Sequence, residues 1–211
     1  VRKTGEERRQ QILDVALGLC AEKGFSGTTL DDIADGAGVS RALVVQHFGS
    51  KEGVYEALSE AVARAHPLEG DVEVARCIEE KHDFGVFHAC AAHVFENNLR
   101  DANQSNLRLT VYSMLENKEL FHKFADIRDG AWEGVISYLD ARQREGALGP
   151  VDSRLLVEGF RAMVVHLTAE TIYREEQPDR AHFYEIVGLM IETILQGLRV
   201  SAGTWAHSDG G

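Results

Sequence analysis

The chain has 211 residues, 44% of them hydrophobic and 27% charged, and a formal net charge of −12. That length suits one large or two small domains with a substantial core. No apolar run approaches the ~18 residues of a membrane span, and the three scattered cysteines, Cys20, Cys77 and Cys90, give no disulfide framework. The first residues, VRKTGEERRQQ, are charged, so no secretory signal is expected and a reduced cytoplasm fits best.

In chain order the pattern is helical throughout. Residues 1–5 read as a disordered basic arm. A helix is expected from about Glu6 to Lys23, with Ile12, Leu13, Ala16, Leu17, Leu19 and Cys20 as its apolar stripe and Gly24 as its stop. Thr28 or Thr29 can cap a second helix, with Asp31 or Asp32 three residues on. Leu30, Ile33, Ala34 and Ala37 form its apolar face, and Gly38 ends it. Ser40 caps a third helix that runs to about Phe48, before Gly49 and Ser50 break it. A fourth runs from Lys51 to about Ala65 and serves as the connector, with the domain boundary inside it: 1–52 is the first domain and 53–200 the second.

Beyond the loop at 67–72, a short helix is expected over 72–81 and an aromatic-rich one from Asp83 to Leu99. A short helix over Leu107–Leu115 follows, then a longer one over about Leu120–Glu145. Two long helices, about 152–175 and 179–200, finish the fold, and the tail 201–211 reads as disordered. These last two helices are apolar nearly all round, which asks for burial on more than one side. The parsimonious cover is the same pair from a second copy, a four-helix homodimer bundle. The fold class is therefore all-α: a three-helix N-terminal domain and a helical C-terminal domain.

The third helix carries the functional signal. With Val44 at the centre of its buried face, Ala42, Leu43, Val45 and Gln46 point outward. This small, nearly uncharged surface with one amide suits close approach to base edges in the major groove of double-stranded DNA. The net charge opposes DNA binding, but its distribution does not. Residues 1–52 carry seven Lys/Arg and eight Asp/Glu, whereas residues 53–211 carry fifteen and twenty-six.

The run from Arg8 to Leu58 resembles the DNA-binding region of the TetR family of transcriptional regulators. The resemblance rests on the helix with Ile12, Ala16 and Leu19, on Gly24-Phe25, Thr28-Thr29, Ile33-Ala34, Ala37-Gly38-Val39-Ser40 and His47-Phe48, and on Ser50-Lys51-Glu52. It covers about a quarter of the chain. It implies a homodimeric regulator, a repressor that binds a palindromic operator and releases it on taking up a small effector; the alternatives are an activator or a ligand-independent regulator of the same fold, and an all-α ligand-binding protein that does not bind DNA. The DNA-contacting set it implies is Thr28, Thr29, Ser40, Arg41, Ala42, Leu43, Val45, Gln46, His47 and Lys51. Thr29, Ser40 and Lys51 position the backbone, and Gln46 reads adenine. Family members usually carry Gly-Thr-Leu-Tyr or similar after the position of Arg41. Here Leu43 replaces the frequent threonine and Val45 the aromatic residue that commonly touches a phosphate.

Other chemistry is poorly supported. His82, His88 and His93 are not stacked at helical spacing, and no CxxC or HxxxH pair exists, so no metal is expected. No G-x-S-x-G, phosphate-loop or dinucleotide-binding glycine pattern is present. Neither an enzyme nor a cofactor is expected. The aromatics of the C-terminal domain suit a pocket for a lipophilic or aromatic ligand, with Phe84, Phe87, His88, Phe95, Tyr112, Trp132, His166 and Tyr173 as candidate lining.

Overall fold

The computed structural model describes residues 4–65, 68–100, 105, 107–109, 111, 130–174 and 178–204, and among these every regular element is helical. The chain divides into two compact units, 1–66 with 100–128, and 67–99 with 129–211.

The first unit begins with α1 (Gly5–Lys23). Thr4 and Glu7 form a capping box at its start, with Glu7 N–H donating to Thr4 Oγ1 at 3.2 Å. α2 (Leu30–Ala37), α3 (Arg41–Phe48) and α4 (Lys51–Ala65) follow. Their shared core holds Ile12, Leu13, Ala16, Cys20, Phe25, Ile33, Ala34, Ala37, Val44, Val54, Tyr55 and Leu58. Phe25 meets Tyr55 edge-on at 5.0 Å. The Tyr55 hydroxyl donates to Leu109 O at 3.1 Å, so a segment fifty-four residues on belongs to this unit. The boundary expected at residues 52/53 is therefore displaced. Val54, Tyr55 and Leu58 are fully buried in the first core, because α4 supplies one of its walls.

The second unit opens with a short 3-10 turn at Leu68–Gly70 and continues as α5 (Val72–Glu79) and α6 (Asp83–Arg100). It closes with α7 (Glu133–Arg144), α8 (Ser153–Arg174) and α9 (Arg180–Thr204). Asp71 caps α5, accepting from Glu73 N and Val74 N, while its other oxygen meets His93 Nδ1 at 2.7 Å. Phe87, Cys90, Phe95, Leu139, Phe160, Phe183, Val187 and Ile191 form the core. The turn into α8 is held by side chains: Ser153 Oγ donates to Asp140 and accepts from Gln143 Nε2 at 2.8 Å, while Gln143 Oε1 accepts from Val151 N. α9 stays helical to Thr204, past the expected start of a disordered tail at residue 201. The expected Leu120–Glu145 helix lies partly outside the described residues; within them, α7 begins at Glu133 after a turn at 131–132.

Candidate nucleic-acid interface

The helix–turn–helix is fixed by local chemistry. Thr29 is the N-cap of α2: Asp32 N–H donates to Thr29 Oγ1 at 3.1 Å and Thr29 N–H to Asp32 Oδ2 at 2.9 Å. The Thr29 hydroxyl also donates to Asp32 and holds its carboxyl below the usual carboxylate range. Gly38 turns the chain at φ +61°, where a side chain would be strained. Val39 N–H closes the turn on Ala34 O at 2.9 Å. Ser40 Oγ then accepts from Leu43 N at 3.2 Å and starts α3. Gln11 Nε2 donates to Ala37 O at 2.8 Å and ties α1 to the turn.

Within α3, Val44 alone is buried. Arg41, Ala42, Val45 and Gln46 are exposed, while Leu43 and His47 are half-buried. Arg41 lies 3.5 Å from Asp31 of α2, both side chains being largely exposed. The His47 ring tilts against Phe48, and the Arg9 guanidinium sits 5.1 Å over the Phe48 ring.

Two residues of the expected contact set face inward. Thr28 is fully buried, and its hydroxyl donates to Gly24 O at 2.8 Å, so it closes the α1–α2 turn and offers nothing to a partner. Lys51 sends its ammonium back into the domain. Nζ donates to Phe25 O at 2.9 Å and to Thr28 O at 3.0 Å, and lies 4.1 Å from the Phe25 ring centroid. The spacing of Lys51 in the first turn of α4 suggested a phosphate contact; in the structure it staples the loop between α1 and α2.

Residues 12–58 match the family described as bacterial regulatory proteins, tetR family. That match spans the helix–turn–helix and the helices on either side of it. The HTH-type transcriptional regulator SrpR of Pseudomonas putida is 47% identical over 73 residues, 33% of each chain. The biofilm operon icaADBC HTH-type negative transcriptional regulator IcaR of Staphylococcus aureus (strain Newman) is 46% identical over 48 residues, 23% of this chain and 26% of that one. The chain thus spans a third or less of the length of these curated relatives. Over the whole fold, a protein of Shewanella sp. PV-4 described as a tetR family transcription regulator superposes with a TM-score of 0.69 at 19% identity, covering 90% of this chain and 97% of that one. The fold is that of TetR-type proteins.

In the second unit of this TetR-type fold, the aromatics expected to line a pocket separate into groups. Phe87 and Phe95 are fully buried; Phe87 meets Phe160 edge-on at 4.9 Å, and Phe95 stacks on Phe183 at 3.8 Å. Trp132 is buried in the same core. Phe84 and His88 are half-buried in a column with Tyr184, at centroid spacings of 5.9 and 5.3 Å. The Tyr184 hydroxyl donates to Glu96, which also pairs with Arg180; burial first, then Glu96, raises the Tyr184 pKa to about 12. His166 and Tyr173 are exposed on α8 and line no interior, because the buried stripe of that helix is Ser153, Val157, Phe160, Val164, Thr168 and Ile172. Tyr112 lies outside the described residues.

Two interior features escaped the sequence reading. Asp83, almost fully buried, accepts from the Tyr138 hydroxyl at 2.5 Å and from Arg142 Nε and Nη2 at 2.8 and 3.2 Å. Burial pushes its carboxyl up, but these donors and the Arg142 charge hold it below the usual range. Thr168 is fully buried in α8, and its hydroxyl has no hydrogen-bond partner among the described residues. A hydroxyl in an otherwise apolar helical stripe carries no periodic signal, so only the structure reveals it.

Proposed function

We propose that this protein is a homodimeric, one-component transcriptional repressor that reads a palindromic operator with α3 and is released by a small, largely apolar ligand bound in the second unit. The observation that carries the reading is the outer face of α3. Ala42, Val45 and Gln46 stand exposed beside a half-buried Leu43, on a helix seated by Val44 and started by Ser40. Gln46 can pair bidentately with adenine, and Leu43 and Val45 can meet thymine methyls. Ser40 and Thr29 set the helix ends, and Arg41 reaches a phosphate or guanine. IcaR, described as a negative regulator, supports repression as the direction of control.

The faces of α8 and α9 turned away from the core support the dimer. Leu155 and Leu189 are 65% and 66% exposed, and Met163 is also exposed, an arrangement that suits a second copy of the same helix pair. A two-fold dimer presents two α3 helices to half-sites about one turn or more apart. The orphan hydroxyl of Thr168 supports a ligand in the second unit that carries one neutral polar group on an apolar body. Release requires that the ligand favour one spacing of the recognition helices, a coupling typically worth ~1–3 kcal/mol.

Selection of duplexes from a randomised pool by the purified protein tests the reading. An enriched palindrome with A·T pairs near the half-site centres is expected. A pool with no enrichment, even at lowered salt, would overturn it.

A further inference from the structure

The turn between α5 and α6 brings a thiol sulfur and an imidazole nitrogen together. α5 ends at Glu79; Glu80 is its C-cap, and Lys81 follows in the left-handed conformation at φ +54°. Lys81 N–H bonds Ile78 O at 3.1 Å, and His82 N–H bonds Cys77 O at 2.9 Å. These two bonds define the Schellman closure of a helix, which brings the side chains at its first and last positions into contact. In such turns the left-handed position favours glycine, and the turns after α2 and α7 do carry Gly38 and Gly146 there. Here the closure is made with a lysine, and the two side chains it brings together are a thiol and an imidazole.

Gly85, in the first turn of α6, sits against that pair. A Cβ built on Gly85 would lie 2.5 Å from His82 Nδ1 and 2.7 Å from Cys77 Sγ. The two ligand atoms are therefore at most about 5 Å apart, the sum of those two distances. Any residue but glycine at this position would drive a side chain between them. Cys77 is buried, with the Arg76 guanidinium 3.9 Å from its Sγ, whereas His82 is exposed.

We propose that Cys77 Sγ and His82 Nδ1 form a two-coordinate site for a soft, low-coordinate cation of the Cu(I) class. A thiolate–metal bond of ~2.3 Å and an imidazole–metal bond of ~2.0 Å place the two donors about 4.3 Å apart when arranged in line, within the separation the Gly85 contacts allow. Thiolate selects soft metals, and imidazole is shared by copper and zinc. Structural zinc asks for four ligands, and among the described residues no group of three or more His, Cys, Asp and Glu is placed to hold an ion. The donor number therefore favours a cation content with two ligands. Binding replaces the thiol proton, which leaves to solvent; no electron is transferred. Neither Cys77 nor His82 belongs to the proposed operator-reading surface, so this site stands or falls independently of that function.

The test is anaerobic titration of the full chain with Cu(I) against a chromophoric Cu(I) chelator. His82→Gln, a change at an exposed position, is compared with the natural sequence, and Cys77→Ser and Gly85→Ala serve as further variants. The expected result is one tightly held equivalent that weakens by about a hundredfold or more in His82→Gln, since loss of even an outer-shell partner costs ~10–100-fold, and disappears in Cys77→Ser. Far-ultraviolet circular dichroism of each variant shows that the helices persist. Equal affinity in His82→Gln and the natural sequence would leave a thiol binding alone, and would overturn the proposal. So would an equivalent that survives in Cys77→Ser, since Cys20 or Cys90 would then be its ligand.

Discussion

Lys51→Met separates two roles for one cation. In the structure the ammonium donates to Phe25 O and Thr28 O, at 2.9 and 3.0 Å, and covers the Phe25 ring at 4.1 Å. Hydrogen bonds to a charged group contribute ~1.5–3 kcal/mol each in net terms. The site is only half-buried, and Phe25 O keeps a second donor in Thr28 N–H. A loss of about 2–4 kcal/mol is therefore expected on Lys51→Met, and a fall in melting temperature of roughly 5–15 °C for a chain of this size. Methionine retains most of the aliphatic stem, so the change isolates the ammonium.

The second half of the test is operator binding as a function of salt. A cation that neutralises a phosphate contributes about 0.9 to the slope of log affinity against log salt. As an internal staple, Lys51 leaves that slope unchanged, and binding by the folded fraction remains near that of the natural sequence. Unchanged melting together with a slope reduced by about 0.9 per subunit would refute the staple and restore the phosphate contact.

Gln46→Ala is expected to cost ~1–3 kcal/mol at one or two operator positions while leaving other positions alone; a uniform loss across all duplexes, measured by competition binding, would remove Gln46 from base readout. Asp83→Asn is expected to cost about 2–3 kcal/mol at neutral pH, because it removes the charged acceptor of the Tyr138 hydroxyl and of Arg142 Nε and Nη2, while Arg142 keeps Glu145. The folded-state pKa of Asp83 is depressed, so its stabilisation is present above the unfolded value of ~3.9 and is lost as pH falls through the lower folded value. Urea unfolding at pH 7 and at pH 3 should therefore show a smaller penalty at pH 3, and equal penalties would refute the sign. Thr168→Val removes a buried hydroxyl that has no partner among the described residues and keeps the side chain's shape, so a gain of about 1 kcal/mol is expected in urea unfolding; a loss of that size would show that the hydroxyl is engaged.

The helix–turn–helix was legible because its signals are local. The caps Thr29 and Ser40, the left-handed Gly38 and the buried Val44 all lie between residues 29 and 44, and local chemistry decides them. Even there, two adjacent threonines were equivalent on paper. The structure separates them, because Asp32 stands where it can answer Thr29 while Thr28 turns back onto Gly24 O. Lys51 was misplaced because its acceptors lie 23 and 26 residues upstream, beyond the reach of any spacing rule. His166 and Tyr173 were misplaced for a different reason. A helix that is apolar nearly all round gives no moment to say which side is in, and their seven-residue spacing puts both on the face that includes Met163. The Cys77–His82 pair was passed over because helical spacing was the criterion, whereas the chain leaves its helix between them.

The charge on the recognition surface is smaller than the count of basic residues implies, and Asp31 makes this testable. Between Gly36 and Lys51 the sequence shows two cations and no acid. Lys51 is turned inward, and Arg41 is met at 3.5 Å by Asp31 from the preceding helix. A carboxylate in that place competes with a phosphate for the same guanidinium, and the twenty-six acidic residues of 53–211 add a field of the same sign. Exposed pairs of this kind are weak, so Asp31→Asn is expected to tighten operator binding by about two- to fivefold, not by orders of magnitude. A gain equal on specific and non-specific duplexes would assign the freed Arg41 to phosphate, whereas a gain confined to the specific duplex would assign it to guanine. Binding unchanged or weakened in Asp31→Asn would mean that Asp31 holds Arg41 in its productive position. The ion pair would then be part of the reading surface and not a brake upon it.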